Sequence, residues 1–188
     1  MYKRQHLARG FVGANTDVAG LVDTLRARGV TLAGARVVVL GRGGAGRAAA
    51  VGARDAGAAH VAMVSRAWGD DRAPRDVDAL TLRTASCDSA MERAGLVVQA
   101  TPCGMQGGPS IDAWLDGAPL SRCPPGAWAM DMVYAPRETA WMTRATSSGL
   151  RVIADGGLEM LARQGAAAFA RWFARPAPVD VMLRALGL

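Results

Sequence analysis

Three short stretches carry residue types that could do chemistry. "VVVLGRGGAGRAAA" holds Gly41-x-Gly43-x-x-Gly46, with Arg42, Gly44 and Ala45 between the outer glycines. Glycines at this spacing, set after a strand and opening a helix, are suited to hold a pyrophosphate. Gly41 permits the tight turn, Gly43 lets the backbone approach the phosphates, and Gly46 lets helix and sheet pack closely. The helix start adds free N–H groups and the positive end of a dipole. The bland alternative is an Ala/Gly-rich structural turn, and the strand before it and helix after it weigh against that.

The second stretch is "GFVGANTDVAG", residues 10–20, where Asp17 follows Asn15 and Thr16. A short polar residue here caps a helix by accepting from its first N–H groups. Asp17 alone therefore reads as a cap. A carboxylate beside a proton donor also does acid–base work. Both hold together if Thr16 caps while Asp17 faces a cleft. The third stretch is "MVSRAWGDD", which ends a second strand. Ser65 and Arg66 stand where a dinucleotide site selects its ribose. Arg66 suits a 2′-phosphate and favours NADP, whereas Asp70 or Asp71 would suit the 2′-OH of NAD. An ordinary surface charge is the alternative for Arg66.

These residues need a scaffold. The 188-residue chain is long enough for one domain with a real core. It is 51% hydrophobic and 20% charged, a globular rather than a disordered balance. No apolar run has the length of a membrane span and no secretory pattern opens the chain, so we read it as cytoplasmic. The net charge of +6 comes mostly from scattered Arg, without a basic run interleaved with aromatics. That argues against a nucleic-acid partner. Cys87, Cys103 and Cys123 form no CxxC, and His6 and His60 are the only histidines. Free thiols are expected, with neither a disulfide framework nor a metal site. Lys3 is the only lysine.

The chain alternates two periodicities. "FVGAN" reads as a strand, and residues 17–29 as a helix with Val18, Leu21, Val22 and Leu25 on one face and Gly29 at its end. "ARVVVLG" (35–41), "AHVAMVS" (59–65) and "GLVVQA" (95–100) are continuous apolar runs, as in strands buried on both faces. Helices are expected over 44–57, 87–94, 137–149, 158–174 and 179–187, further strands over 80–85 and 150–155, and a strand followed by a turn over 126–136. A Pro/Gly loop, "TPCGMQGGPS", follows residue 100. The alternation predicts an α/β fold: a doubly wound, Rossmann-like parallel sheet with helices on both faces.

Five stretches in order, "GANTDVAG", "LGRGGAGRA", "VVQATPCGM", "DMVYAPRET" and "GGLEMLARQGAAAF", resemble the cofactor-binding part of the shikimate dehydrogenase family. Together they span nearly the whole chain from Gly10. The resemblance implies NADPH-dependent, reversible reduction of 3-dehydroshikimate to shikimate, on the route to chorismate and the aromatic amino acids. It gives Gly41, Arg42, Gly43, Gly44, Ala45 and Gly46 to the phosphate loop. Ser65 and Arg66 match an Asn-Arg-Thr stretch at the 2′-phosphate, with only the Arg retained because Ser65 replaces Asn and Ala67 replaces Thr. Thr101 lies beside the cofactor, and Met132 and Gly157 line the nicotinamide. Tyr134 and Gln164 contact the small-molecule substrate, and Asp17 is the acid of a Lys–Asp catalytic pair.

Family members carry that Lys, and a serine pair for the substrate carboxylate, in a substrate-binding domain ahead of the Asn-Thr-Asp segment. Residues 1–16 are accordingly expected to be a leader and a remnant of that domain. Residues 17–188 are expected to form the NADP-binding domain, its C-terminal helices packing back towards the missing one. A dehydroquinase fused upstream is a further expected partner. Alone, the chain is expected to bind NADPH and to turn over shikimate negligibly. The alternatives are an NAD-using quinate/shikimate dehydrogenase and a non-catalytic dinucleotide-binding module.

Overall fold

Val37 and Val39 pack into one apolar cluster, while Val38 and Leu40 pack into another. Side chains alternate along a strand, so the run "VVVL" is buried on both faces and needs helices on both. In the computed structural model this run is β3 (Arg36–Leu40), at the centre of the sheet. The structure describes residues 2–7, 10–66, 74, 76–82, 85–112 and 118–188. Its sheet comprises β3, β4 (His60–Ser65), β5 (Asp78–Thr81), β6 (Leu96–Gln99), β7 (Trp128–Asp131) and β8 (Arg151–Val152). They lie in the order β5-β4-β3-β6-β7-β8, and every pairing is parallel.

One face is covered by α1 (Thr16–Ala27), α2 (Gly44–Asp55) and α5 (Gly156–Phe173), through Leu21, Leu25, Ala49, Ala53 and Met160. The other is covered by α3 (Ala85–Met91) and α4 (Ala140–Ser147), through Met91, Trp141 and Ala145. A short last helix, α6 (Val179–Ala185), follows. The strand order reverses between β4-β3 and β6, and ligands bind beyond the carboxyl ends of strands at such a switch point.

The expected doubly wound sheet is therefore present, with local differences, among them β5 at Asp78–Thr81 rather than 80–85. β7 and β8 are shorter than the runs that suggested them. The Asp131 carboxylate accepts from the Val133 amide two residues on, which turns the chain out of the sheet after β7. Asp155, at φ 54°, turns β8 directly into α5. The opening residues, for which no strand was expected before "FVGAN", form β1 (Tyr2–Leu7), paired antiparallel with β2 (Gly10–Asn15). Among the described residues, no helix is long and apolar enough to cross a membrane. Cys87, Cys103 and Cys123 are in no disulfide and are buried, and burial pushes the Cys123 thiol up to about 12.

Candidate functional site

The glycine loop leaves the carboxyl end of β3. Gly41 has φ 113° and donates its N–H to Val64 O at 2.8 Å, which ties the loop to β4. A Cβ on Gly46 would stand 2.2 Å from Gly41 O, so only glycine lets α2 begin this close to the strand. Gly43 is the N-cap of α2 and makes no side-chain cap bond. A Cβ at Gly43 or Gly44 would meet nothing within 4 Å. The loop is thus an open cradle at a helix start, the environment that suits a pyrophosphate. Arg47 donates from Nε to Arg42 O at 3.1 Å and braces the turn.

Two cavities meet in front of it. The larger, about 480 Å³, is lined by Gly43, Gly44 and Ala45, by Ala100, Thr101 and Pro102, and by Met132, Val133 and Tyr134 among others. The smaller, about 180 Å³, is lined by Asp17, Gly157, Met160, Leu161 and Gln164, and shares Ala45, Met132 and Tyr134 with the first. Shared walls make them one cleft with a wide glycine-loop end and a narrow Asp17 end. Tyr134 stands at the junction and is 45% exposed, so its hydroxyphenyl ring is presented to the cleft rather than packed away.

The narrow end exists because α1 and α5 pack tightly. A Cβ on Gly20 would lie 2.8 Å from Gln164 Cβ and 2.9 Å from Met160 O. A Cβ on Gly157 would lie 2.5 Å from Val133 O, so the start of α5 abuts the chain after β7. Arg28 Nε, at the other end of α1, pairs with the buried Glu159 at 2.7 Å and fastens α1 to α5, while Arg163 Nη2, one turn on within α5, pairs with the same carboxylate at 2.6 Å. Across this contact Thr16 Oγ1 donates to Gln164 Oε1 at 3.2 Å. The Gln164 amide donates from Nε2 to Leu161 O at 3.1 Å, which leaves its plane fixed beside the cavity.

This corrects the expected capping. The α1 cap is Asn15, whose side chain accepts from the Asp17 N–H at 3.0 Å. Thr16 is instead 2% exposed and engaged with Gln164. Asp17, the next residue, lines the narrow end of the cleft.

The structure brings Asp17, Ala45, Met132, Tyr134, Gly157 and Gln164 around the narrow end, and Gly43, Gly44, Ala45, Thr101, Met132 and Tyr134 around the wide end. Gly41, Arg42 and Gly46 shape the loop from behind. Ser65 and Arg66 line neither cavity. They follow Val64, which is hydrogen-bonded to Gly41, so they flank the loop, Ser65 buried and Arg66 exposed. Asp70, Asp71 and Ala67 lie outside the described residues.

Sequence reasoning missed Gln99, Asp131 and Thr139. Gln99 and Asp131 are 0% and 1% exposed at the ends of β6 and β7. Gln99 Nε2 donates to Asp131 Oδ1 at 3.3 Å, and Thr139 Oγ1 donates to Asp131 Oδ2 at 2.6 Å. Burial raises the Asp131 carboxyl to about 6, against the lowering effect of its bonds from Thr139 and Val133. The available signal was a polar residue closing each of two apolar strands, where a packed sheet gives no reason for one.

Comparison with known proteins gives a consistent answer. The model of the "Shikimate 5′-dehydrogenase C-terminal domain" matches residues 157–186. The chain is 35% identical over 187 residues to the NADP(+) shikimate dehydrogenase of Synechocystis sp. (strain ATCC 27184 / PCC 6803 / Kazusa), covering 94% of this chain and 63% of that protein. It is 34% identical to the crystal structure of shikimate 5-dehydrogenase from Thermus thermophilus in complex with shikimate, with a TM-score of 0.71 over 98% of this chain and 67% of that one. A quinate dehydrogenase from Corynebacterium glutamicum in complex with NAD superimposes with a TM-score of 0.76 at 25% identity, over 98% of this chain and 67% of that one. The chain thus spans 63% of the length of the Synechocystis relative. It belongs to the shikimate dehydrogenase family.

Proposed function

We propose that this chain holds NADP(H) in the wide end of the cleft and the ring of 3-dehydroshikimate or shikimate in the narrow end, as part of an NADP-dependent shikimate dehydrogenase. The observation that carries the reading is the shared wall of Ala45, Met132 and Tyr134, which makes a glycine-loop cradle continuous with a carboxylate-bearing pocket. NADPH held there would supply the hydride for the carbonyl carbon of the substrate. A proton must reach the carbonyl oxygen as its double bond becomes single. Gly43 and Gly44 leave room for the phosphates, and the N-terminus of α2 offers its N–H groups to them. Arg66, flanking the loop, suits the 2′-phosphate.

At the narrow end Asp17 orients and polarises the proton donor, a lysine by the family resemblance, and keeps it charged. Tyr134 and Gln164 offer hydrogen bonds to ring hydroxyls, where an unmatched polar group is costly. The test is shikimate formation from 3-dehydroshikimate and NADPH by an active enzyme containing this chain. Tyr134→Phe and Gln164→Leu should each raise KM for the substrate about tenfold, with a smaller effect on NADPH affinity. Unaltered substrate KM in both variants would move the substrate elsewhere.

A further inference from the structure

The wide end of the cleft has two lips. One is Ala100, Thr101 and Pro102, following β6; the other is Met132, Val133, Tyr134 and Ala135, following β7. Gln99 and Asp131 lie behind them, are fully buried and line neither cavity. The Gln99 amide faces the first lip: Oε1 accepts from Thr101 N at 2.5 Å, while Nε2 donates to Thr101 O at 3.3 Å and Cys103 O at 3.0 Å. Asp131 faces the second: Oδ1 accepts from Val133 N at 2.9 Å. The two side chains join through Gln99 Nε2 and Asp131 Oδ1.

Donor and acceptor roles make this arrangement one-way. Everything that meets Gln99 Nε2 is an acceptor: Thr101 O, Cys103 O and the Asp131 carboxylate. A reversed amide would set Oε1 against all three and its NH₂ against the Thr101 N–H. Everything that meets Asp131 is a donor: Gln99 Nε2, Val133 N and Thr139 Oγ1. Three donors on two oxygens suit the ionised form, and Oδ1 accepts from Gln99 and Val133 in either protonation state. With its carboxyl at about 6, Asp131 is mostly ionised at neutral pH despite its burial. Thr139 also caps α4, accepting from Met142 N at 3.2 Å, so the carboxylate is anchored to a helix as well.

We infer that Asp131 is a positioning residue of the nucleotide cleft, a single carboxylate that sets the spacing of both lips through the Gln99 amide on one side and the Val133 amide on the other. It touches neither cofactor nor substrate. The inference rests on reading the wide end as the NADP(H) site, and the geometry at stake is the gap between Thr101 and Met132, across which the cofactor must fit. Orientation-dependent sites lose heavily when such a frame relaxes by a fraction of an ångström.

The test is an NADPH fluorescence titration of the chain and its variants, with affinity referred to the folded fraction measured by circular dichroism. Asp131→Leu removes the shared acceptor and should weaken NADPH about tenfold or more; Gln99→Met should do the same, and the double variant should lose less than the two single losses combined, because both cut the Gln99–Asp131 bond. Asp131→Asn keeps Oδ1 for Gln99 and Val133 and should stay within about threefold of the parent. Unchanged affinity in Asp131→Leu with only a lower melting temperature would reduce Asp131 to a stability role and overturn the inference. Should Asp131→Leu not fold, Gln99→Met decides in the same way: weakened binding supports the frame, and unchanged binding overturns it. Failure of the parent chain itself to bind NADPH would overturn the site assignment, and the inference with it.

Discussion

Thr16 Oγ1 donates a hydrogen bond to Gln164 Oε1 at 3.2 Å, joining residues 148 positions apart. That bond places the first turn of α1, and so Asp17, against the helix that carries the cleft-lining Gln164 amide. Thr16→Val keeps the shape and removes the donor. It should cost about 1 kcal/mol of stability and raise substrate KM through a loosened Gln164, read by denaturant unfolding and by initial rates.

Gly20 makes that contact possible. In Gly20→Val the new side chain would meet Gln164 Cβ and Met160 O at distances real Cβ atoms do not adopt. The helices must separate, with a loss of about 1–3 kcal/mol in a urea-unfolding experiment. Substrate affinity should fall more than NADPH affinity, since the glycine loop lies at the other end of the cleft.

Asn15 caps α1, and the chemistry is proposed for its near neighbour Asp17. Asn15→Ala should lower stability by about 1 kcal/mol, because it removes the acceptor for the Asp17 N–H. Asp17→Asn should leave the melting temperature nearly unchanged and cut kcat of an active enzyme about 100-fold or more. A melting-temperature drop without a kcat effect would return Asp17 to a structural part.

The Asp131 carboxyl gives a pH signature. Its value rises from 3.8 to about 6 on folding because burial penalises the charge. A raised carboxyl binds its proton more tightly when folded. Its contribution to stability is therefore fully present below about pH 4, declines as pH rises from about 4 to 6, and is flat above that. The shift corresponds to about 3 kcal/mol. Asp131→Asn cannot ionise, so its stability relative to the parent should climb through that window and then level off. A difference that stays constant between about pH 4 and 7 would contradict the assignment.

Arg66 should separate the two nicotinamide nucleotides. Arg66→Ala should weaken NADPH about tenfold or more and NADH little, as measured by parallel fluorescence titrations. Equal losses would remove the 2′-phosphate contact from the site.

Much of this was legible in residue types and spacing. Unbroken Val runs predict a sheet covered on both faces, and β3 packs into two cores. The glycine spacing predicts a tight turn, and Gly46 stands too close to Gly41 for any side chain. Motif order pointed to Asp17, Met132, Tyr134, Gly157 and Gln164, which three separate regions of the fold bring to one pocket. Other parts left no pattern. Asn15, Thr16 and Asp17 are all competent caps, and only the packing of α1 on α5 decides that Thr16 turns to Gln164. Gln99 and Asp131 each look like the polar end of a strand. Their pairing depends on β6 and β7 being neighbours, a tertiary fact without local periodicity. The pairing of β1 with β2 likewise joins a polar opening segment that carries no strand alternation.

Every role assigned above requires the cleft to be a nucleotide site continuous with the Asp17 pocket. Titration of the purified chain with NADPH and NADH, followed by fluorescence, tests this most directly, with shikimate added at saturation. We expect saturable binding of NADPH, weaker binding of NADH, and loss of NADPH binding when a bulky side chain fills the cradle in Gly43→Leu. Absence of saturable binding by either nucleotide, or NADPH binding that Gly43→Leu leaves intact, would contradict the account.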